Sequence, residues 1–132
     1  DLVMIDNMVG GFAEQIAWPA EHCYKLRPDA DVKSLPSMYG YQTSLFALRQ
    51  RASLKSGETM LVLGASGGVG VTAIELGKQM GATVIAAAST QEKLDFCTSI
   101  GADYTVNYDE EDLKLRVREL TGGKGVDGRY IS

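Results

Sequence analysis

The stretch Thr59-Met60-Leu61-Val62-Leu63-Gly64-Ala65-Ser66-Gly67-Gly68-Val69-Gly70 reads as a strand that breaks into a glycine-rich turn. Thr59 to Leu63 is a short apolar run of the kind that forms a strand buried on both faces of a parallel sheet. From Val69 to Met80 the periodicity turns helical, and Gly81 stands where a helix C-terminus favours a left-handed residue. Ala73 and Gly77, both small and one helical turn apart, let that helix lie close to a sheet. The chemistry of the intervening loop, Gly64 to Gly70, follows from its missing side chains. A strand turning abruptly into a helix leaves backbone N–H groups at the positive end of the helix dipole. Without Cβ atoms at Gly67 and Gly68, a diphosphate can approach and accept those hydrogen bonds, while Gly70 permits tight packing of helix on strand.

Working outward, Ala82 to Ala88 is a second apolar strand. Ser89 with Glu92 forms a capping box that opens a helix, with Leu94, Cys97 and Ile100 as its inward stripe and Gly101 as its end. Thr105-Val106-Asn107 is a brief third strand. Asp109 is expected to cap a last helix whose Leu113, Val117 and Leu120 face inward. Glu110/Lys114 and Asp112/Arg116 are its exposed i, i+4 pairs, and Thr121-Gly122-Gly123 ends it. Strands and helices alternating at this spacing predict a parallel sheet joined by right-handed crossovers, a partial doubly wound Rossmann unit. Upstream, Lys55 to Glu58 is a turn and Thr43 to Leu54 a helix, with Leu45, Phe46 and Leu48 on one side. Ser37 to Gly40 is a joint. Before it the text is β-like (Val3, Ile5, Phe12 to Trp18), and all 3 prolines of the chain fall there. The expected organisation is a β-rich unit over residues 1–40 and a dinucleotide-binding unit over 41–132.

Composition narrows the function classes. With 45% hydrophobic and 23% charged residues, the chain has the make-up of a globular protein rather than a disordered one. A formal charge of −4 without a basic block argues against nucleic acid, which requires clustered Lys and Arg. No apolar run reaches membrane-spanning length. Cys23 and Cys97 lie far apart, which favours a reducing compartment over a disulfide framework. Together with the absence of a signal sequence, this suggests the cytoplasm, with the mitochondrial matrix as the alternative. His22 adjoins Cys23; in an extended stretch their side chains would point to opposite faces, so no metal site is expected. Trp18 is expected in a core.

The loop alone leaves alternatives open. It could be a tight structural turn that binds nothing. Gly64, Gly68 and Gly70 also fit the spacing of short-chain dehydrogenases, although those place the loop near the chain start. No Lys-Ser or Lys-Thr follows, as a nucleoside-triphosphate loop would require. Gly122-Gly123-Lys124-Gly125 has the wrong spacing for such a loop. The second strand ends Ala88-Ser89-Thr90 with no carboxylate to grip an adenosine 2′-hydroxyl, so a 2′-phosphate fits there. Lys93, one turn on, would neutralise it, and NADP is favoured over NAD. Glu92 is the unfavourable neighbour.

Leu45 to Gly70, "LFALRQRASLKSGETMLVLGASGGVG", resembles the quinone oxidoreductase (zeta-crystallin-like) branch of the medium-chain dehydrogenase/reductase superfamily. So do "VIAAASTQEKL" at Val84 to Leu94 and "GADYTVNY" at Gly101 to Tyr108. "GGFAEQIAWPAEHCYKL", starting at Gly10, looks like the end of that family's GroES-like catalytic domain. The resemblance implies that Ser66, Gly67, Gly68 and Val69 cradle a diphosphate, that Ser89, Lys93 and Tyr108 hold the 2′-phosphate, and that Thr43 lies near the nicotinamide. On the residues alone, Tyr108 is a loop aromatic and Thr43 a helix N-cap. The family transfers hydride from NADPH to a quinone or related acceptor without zinc, and its full-length members are expected to be homodimers. An enoyl-thioester reductase acting on an activated alkene is the close alternative; a truncated, non-catalytic NADPH-binding or interaction module is the other. After Val126-Asp127, Gly128-Arg129-Tyr130-Ile131-Ser132 looks like the start of a later strand of that family, so an internal stretch is expected to be missing. No residue here qualifies as a catalytic acid or base, and this polypeptide alone is expected to have no significant turnover.

Overall fold

The computed structural model describes residues 1–6 and 9–131. They form two compact units, Asp1–Leu35 and Pro36–Ser132. In the first, β1 (Val3–Ile5) pairs antiparallel with β2 (Cys23–Lys25), Met4 opposite Tyr24. None of the unit's described residues is buried, because so short a chain cannot enclose a core. Two expectations fail here. Phe12 to Trp18 forms no strand, and Trp18 is half-buried rather than in a core. His22 ends a short 3-10 turn, Ala20–His22, and is exposed.

The second unit carries the parallel sheet. Its strands are β3 (Thr59–Leu63), β4 (Thr83–Ala88), β5 (Tyr104–Asn107) and β6 (Gly128–Ile131), in the order β5-β4-β3-β6. Helices α2 (Gly68–Gln79), α3 (Gln91–Ser99) and α4 (Leu113–Leu120) connect or follow them. Alternation along β3 divides the core. Met60 and Val62 pack with Val84, Ala86, Ile74 and Cys97 on one face, while Leu61 packs with Ile85, Val106 and Val117 on the other. This is the two-sided burial expected of a doubly wound sheet.

The tail does not extend the sheet as a distant strand. β6 lies against β3, Met60 opposite Gly128, and so takes the place of a fourth Rossmann strand. Asp127 fixes that position, its N–H donating to the Thr59 carbonyl (2.8 Å) and its carboxylate accepting from the Thr59 N–H (2.9 Å).

Several local readings are corrected. Helix α1 (Ser37–Leu45) starts in the expected joint, because Pro36 already holds helical angles (φ −59°, ψ −27°) suited to a first turn. Thr43 is therefore inside a helix and is not its N-cap. A π-helical segment, Phe46–Arg51, follows. Its wider turn buries Leu48 but leaves Leu45 and Phe46 exposed, with the Arg51 guanidinium 5.3 Å over the Phe46 ring. The cap of α3 is Thr90, not Ser89, and that of α4 is Asp112, not Asp109. Arg116 pairs with Glu111 (3.4 Å) and Glu119 (2.9 Å) rather than Asp112.

Candidate functional site

The site is built at the carboxyl ends of β3, β4 and β5, which the parallel register brings level. Leu63 lies opposite Ala87, and Ala88 opposite Asn107. The chain leaving each strand therefore emerges on the same edge: Gly64 to Gly67 after β3, Ser89 after β4, Tyr108 after β5. Two hydrogen bonds tie these exits together, Ala65 N–H to the Ala87 carbonyl and Tyr108 N–H to the Ala88 carbonyl (both 3.2 Å).

At the first exit the loop bends through Gly64 (φ +62°) and runs into α2 behind Gly67, whose extended backbone (φ −75°, ψ 162°) forms the N-cap without any side-chain cap. Gly67 spends its own N–H on the Gly64 carbonyl (2.9 Å). Its contribution to a cradle is therefore an absent side chain rather than a donor. The amides of Ser66, Gly68 and Val69 make no hydrogen bond among the described residues. Gly67 and Gly68 are exposed, and a Cβ on Gly68 would meet nothing within 4 Å. At Gly70, by contrast, a Cβ would lie 2.6 Å from the Gly64 oxygen, so the helix packs on the loop as closely as a glycine allows. The result is an open concavity faced by unused donors at a helix N-terminus, suited to an anion.

The second exit supplies a cation. Lys93 Nζ donates to Ser89 Oγ (3.1 Å), so the two residues expected at a 2′-phosphate are already in contact. Thr90 Oγ1 accepts from the Lys93 N–H (3.4 Å), which frees Ser89 from the capping role. Ser66, Thr90, Glu92, Lys93 and Phe96 line an open hollow of about 430 Å³ joining the loop to this pair. Tyr108 is exposed at the third exit, one residue beyond Asn107, which pairs with Ala88. Thr43 is not brought to this hollow; it is exposed on α1.

Sequence reasoning missed the brace behind the loop. Ser44, fully buried, places its hydroxyl 3.1 Å from the Val69 carbonyl and 2.8 Å from Thr72 Oγ1, which itself reaches that carbonyl at 2.9 Å. Gly40 permits this approach, since a Cβ there would stand 3.1 Å from Thr72 Cγ2. Tyr41 donates to the Glu75 carboxylate one turn further along α2, and that bond, with partial burial and the carboxylate's charge, pushes the phenol above its ordinary range. The readable signal was the small pair Gly40 and Ser44, one helical turn apart.

A Rossmann-type domain is the class that this fold defines, and the proteins it resembles bear the names of dehydrogenases and reductases. Residues 68–131 match the family described as zinc-binding dehydrogenase. The 2-haloacrylate reductase of Burkholderia sp. is 35% identical over 127 residues, covering 94% of this chain and 38% of that one. An NAD-dependent alcohol dehydrogenase of Sulfurisphaera tokodaii is 37% identical, covering 92% and 35%. Among solved structures, a probable oxidoreductase from Mycobacterium abscessus superposes with a TM-score of 0.84 at 41% identity (96% of this chain, 41% of that one). Escherichia coli quinone oxidoreductase in complex with NADPH does so at 0.75 and 32% (81% and 33%). The chain belongs to the medium-chain dehydrogenase/reductase superfamily, with quinone oxidoreductases among its relatives, and spans well under half the length of the relatives it matches. The residues do not fit the zinc of the family's description. The matched segment holds no histidine and one cysteine, Cys97, which is buried in the core. Among the described residues no three His, Cys, Asp or Glu side chains are grouped to hold a metal ion.

Proposed function

We propose that this chain is the NADPH-binding portion of a zinc-independent oxidoreductase that reduces a quinone or a similar electron-poor small molecule. The observation that carries this reading is the set of unused amides at Ser66, Gly68 and Val69 together with the preformed Ser89–Lys93 contact, with Ser66 and Lys93 lining one hollow. Bound NADPH would supply the hydride; the protein orients it and excludes water. In that role the amides of Ser66, Gly68 and Val69 hold the diphosphate, with Gly67 leaving room for it. Ser89 and Lys93 hold the 2′-phosphate with Tyr108 beside them, and no carboxylate stands at the end of β4 to claim a 2′-hydroxyl instead. Thr43 is proposed to face the nicotinamide on the strength of the family resemblance alone. Residues 1–40 are read as the end of a GroES-like catalytic domain, and the full-length protein as a cytoplasmic homodimer.

An activated alkene is the second acceptor supported, because the Burkholderia relative bears the name 2-haloacrylate reductase. No catalytic acid or base is assigned to this chain, and turnover by it alone is expected to be absent. Nicotinamide fluorescence tests the binding claim: titration should give saturable binding of NADPH, several-fold tighter than NADH. Equal affinities would refute the 2′-phosphate assignment, and absence of binding by both would refute the site.

A further inference from the structure

We infer that Glu92 is a specificity-determining residue whose carboxylate opposes the 2′-phosphate and limits the preference for NADPH over NADH. This rests on reading the hollow between the loop and α3 as the 2′-phosphate site. A capping box would turn Glu92 back onto the chain ahead of α3, but it needs the acid three residues past the cap. With Thr90 as the cap, Lys93 fills that position, its N–H bound to Thr90 Oγ1 at 3.4 Å. Glu92 stands one residue too early. Its side chain is exposed, and its carboxylate makes no hydrogen bond or ion pair among the described residues.

The same residue lines the hollow of about 430 Å³ with Ser66, Thr90, Lys93 and Phe96. Glu92 and Lys93 are the charged members of that lining, and their signs are opposite. They are not partners of one another, since Lys93 Nζ is turned to Ser89 Oγ at 3.1 Å. Asp95, the next acid along α3, accepts from Gln91 Nε2 at 2.7 Å and does not line the hollow. A phosphate monoester carries a charge of about −1.5 to −2 at neutral pH. Placed against Ser89 and Lys93, it is attracted by the lysine and repelled by Glu92 within one open space. At so exposed a site each effect amounts to roughly a few-fold in affinity. A 2′-hydroxyl carries no charge and calls on neither. Glu92 therefore weakens NADPH binding selectively, against the pull of Lys93.

Nicotinamide fluorescence titrations of the whole chain at about pH 8, where the 2′-phosphate is fully ionised, test this with Glu92→Gln and Glu92→Asp. Glutamine keeps the shape and removes the charge. It should tighten NADPH about threefold, leave NADH unchanged, and lose most of that gain in about 1 M salt. Aspartate keeps the charge and should retain the preference of the unaltered chain. On a Lys93→Ala background the glutamine gain should persist, because the lysine is engaged with Ser89 and not with Glu92. A purely structural role for an acid in the first turn of α3 would instead lower the urea midpoint of Glu92→Gln without moving the ratio of the two affinities. NADPH affinity that does not rise in Glu92→Gln, or a rise that NADH shares equally, would overturn the inference. So would a gain that aspartate reproduces, that ignores salt, or that vanishes without Lys93. An unaltered chain that binds neither nucleotide would refute the dinucleotide reading itself, whereas NADPH-selective binding that Glu92→Gln leaves untouched would refute only the role of Glu92.

Discussion

Replacing Gly70 by alanine separates close packing from anion binding within a single helical turn. The added Cβ would stand 2.6 Å from the Gly64 oxygen, 2.7 Å from the Ala65 oxygen and 2.8 Å from the Ala65 carbonyl carbon. A relaxed contact needs roughly 3.5 Å, so loop and helix must part by about 0.9 Å to relieve the shortest of these. All three atoms are backbone, and Ala65 is itself fully buried with its N–H bound to Ala87, so nothing nearby can swing aside. Overpacking of this kind costs about 1–3 kcal/mol, here toward the upper end. Alanine's helix propensity returns about 1 kcal/mol. The net expectation is a destabilisation of about 1–2 kcal/mol, or a urea midpoint lower by roughly 0.5–1 M. Gly68→Ala is the control: its Cβ meets nothing within 4 Å, so stability should hold or rise slightly. Yet the methyl would stand in the proposed cradle, and NADPH binding should fall by about tenfold. A Gly70→Ala midpoint equal to that of Gly68→Ala would refute the packing argument.

Other perturbations have equally definite outcomes. Lys93→Ala should weaken NADPH binding by about fivefold and leave NADH binding unchanged, compared by fluorescence titration, because only the phosphate of NADP calls on its charge. Asp103 sits between Lys78 Nζ and the Val84 N–H, both at 2.7 Å. Partial burial raises its carboxyl, but the bonds from Lys78 and Val84 and the lysine's charge outweigh this and leave it below the ordinary range. Its contribution is therefore present above the unfolded value of about 3.9 and is lost as pH falls through the lower folded one. Asp103→Asn should cost about 1 kcal/mol at pH 7, and the gap to the unaltered chain should close in denaturation series below about pH 4. Burial pushes the Cys97 thiol up and shields it, whereas Cys23 is half-buried. A thiol reagent should label Cys23 in the native chain and Cys97 only on unfolding.

The sheet and its helices were legible because apolar runs and periodicity report burial directly, and β3, α2, β4 and β5 lie where those signals put them. The same holds for Gly70 and Gly77: a Cβ at the latter would meet Met60 Sδ at 2.5 Å. Caps were less legible. Ser89 and Thr90 are both competent N-caps, and the choice fell to Thr90 once Ser89 was drawn to Lys93, a contact that depends on side-chain geometry. The start of α1 was obscured by Gly40, which usually breaks a helix but here sits inside one because α2 packs against it. Trp18 was placed in a core by its hydrophobicity, yet its unit has too few residues to bury it. At the loop, the glycines advertised an anion cradle, but which amides stay unused depends on the turn itself, where Gly64 claims the Gly67 N–H.

That division of labour among the loop amides is the account's central claim, and amide chemical-shift mapping during an NADPH titration tests it most directly. The amides of Ser66, Gly68 and Val69 should shift strongly and saturate together, with Gly67 responding least. Saturable binding that left those three amides unmoved would contradict the account.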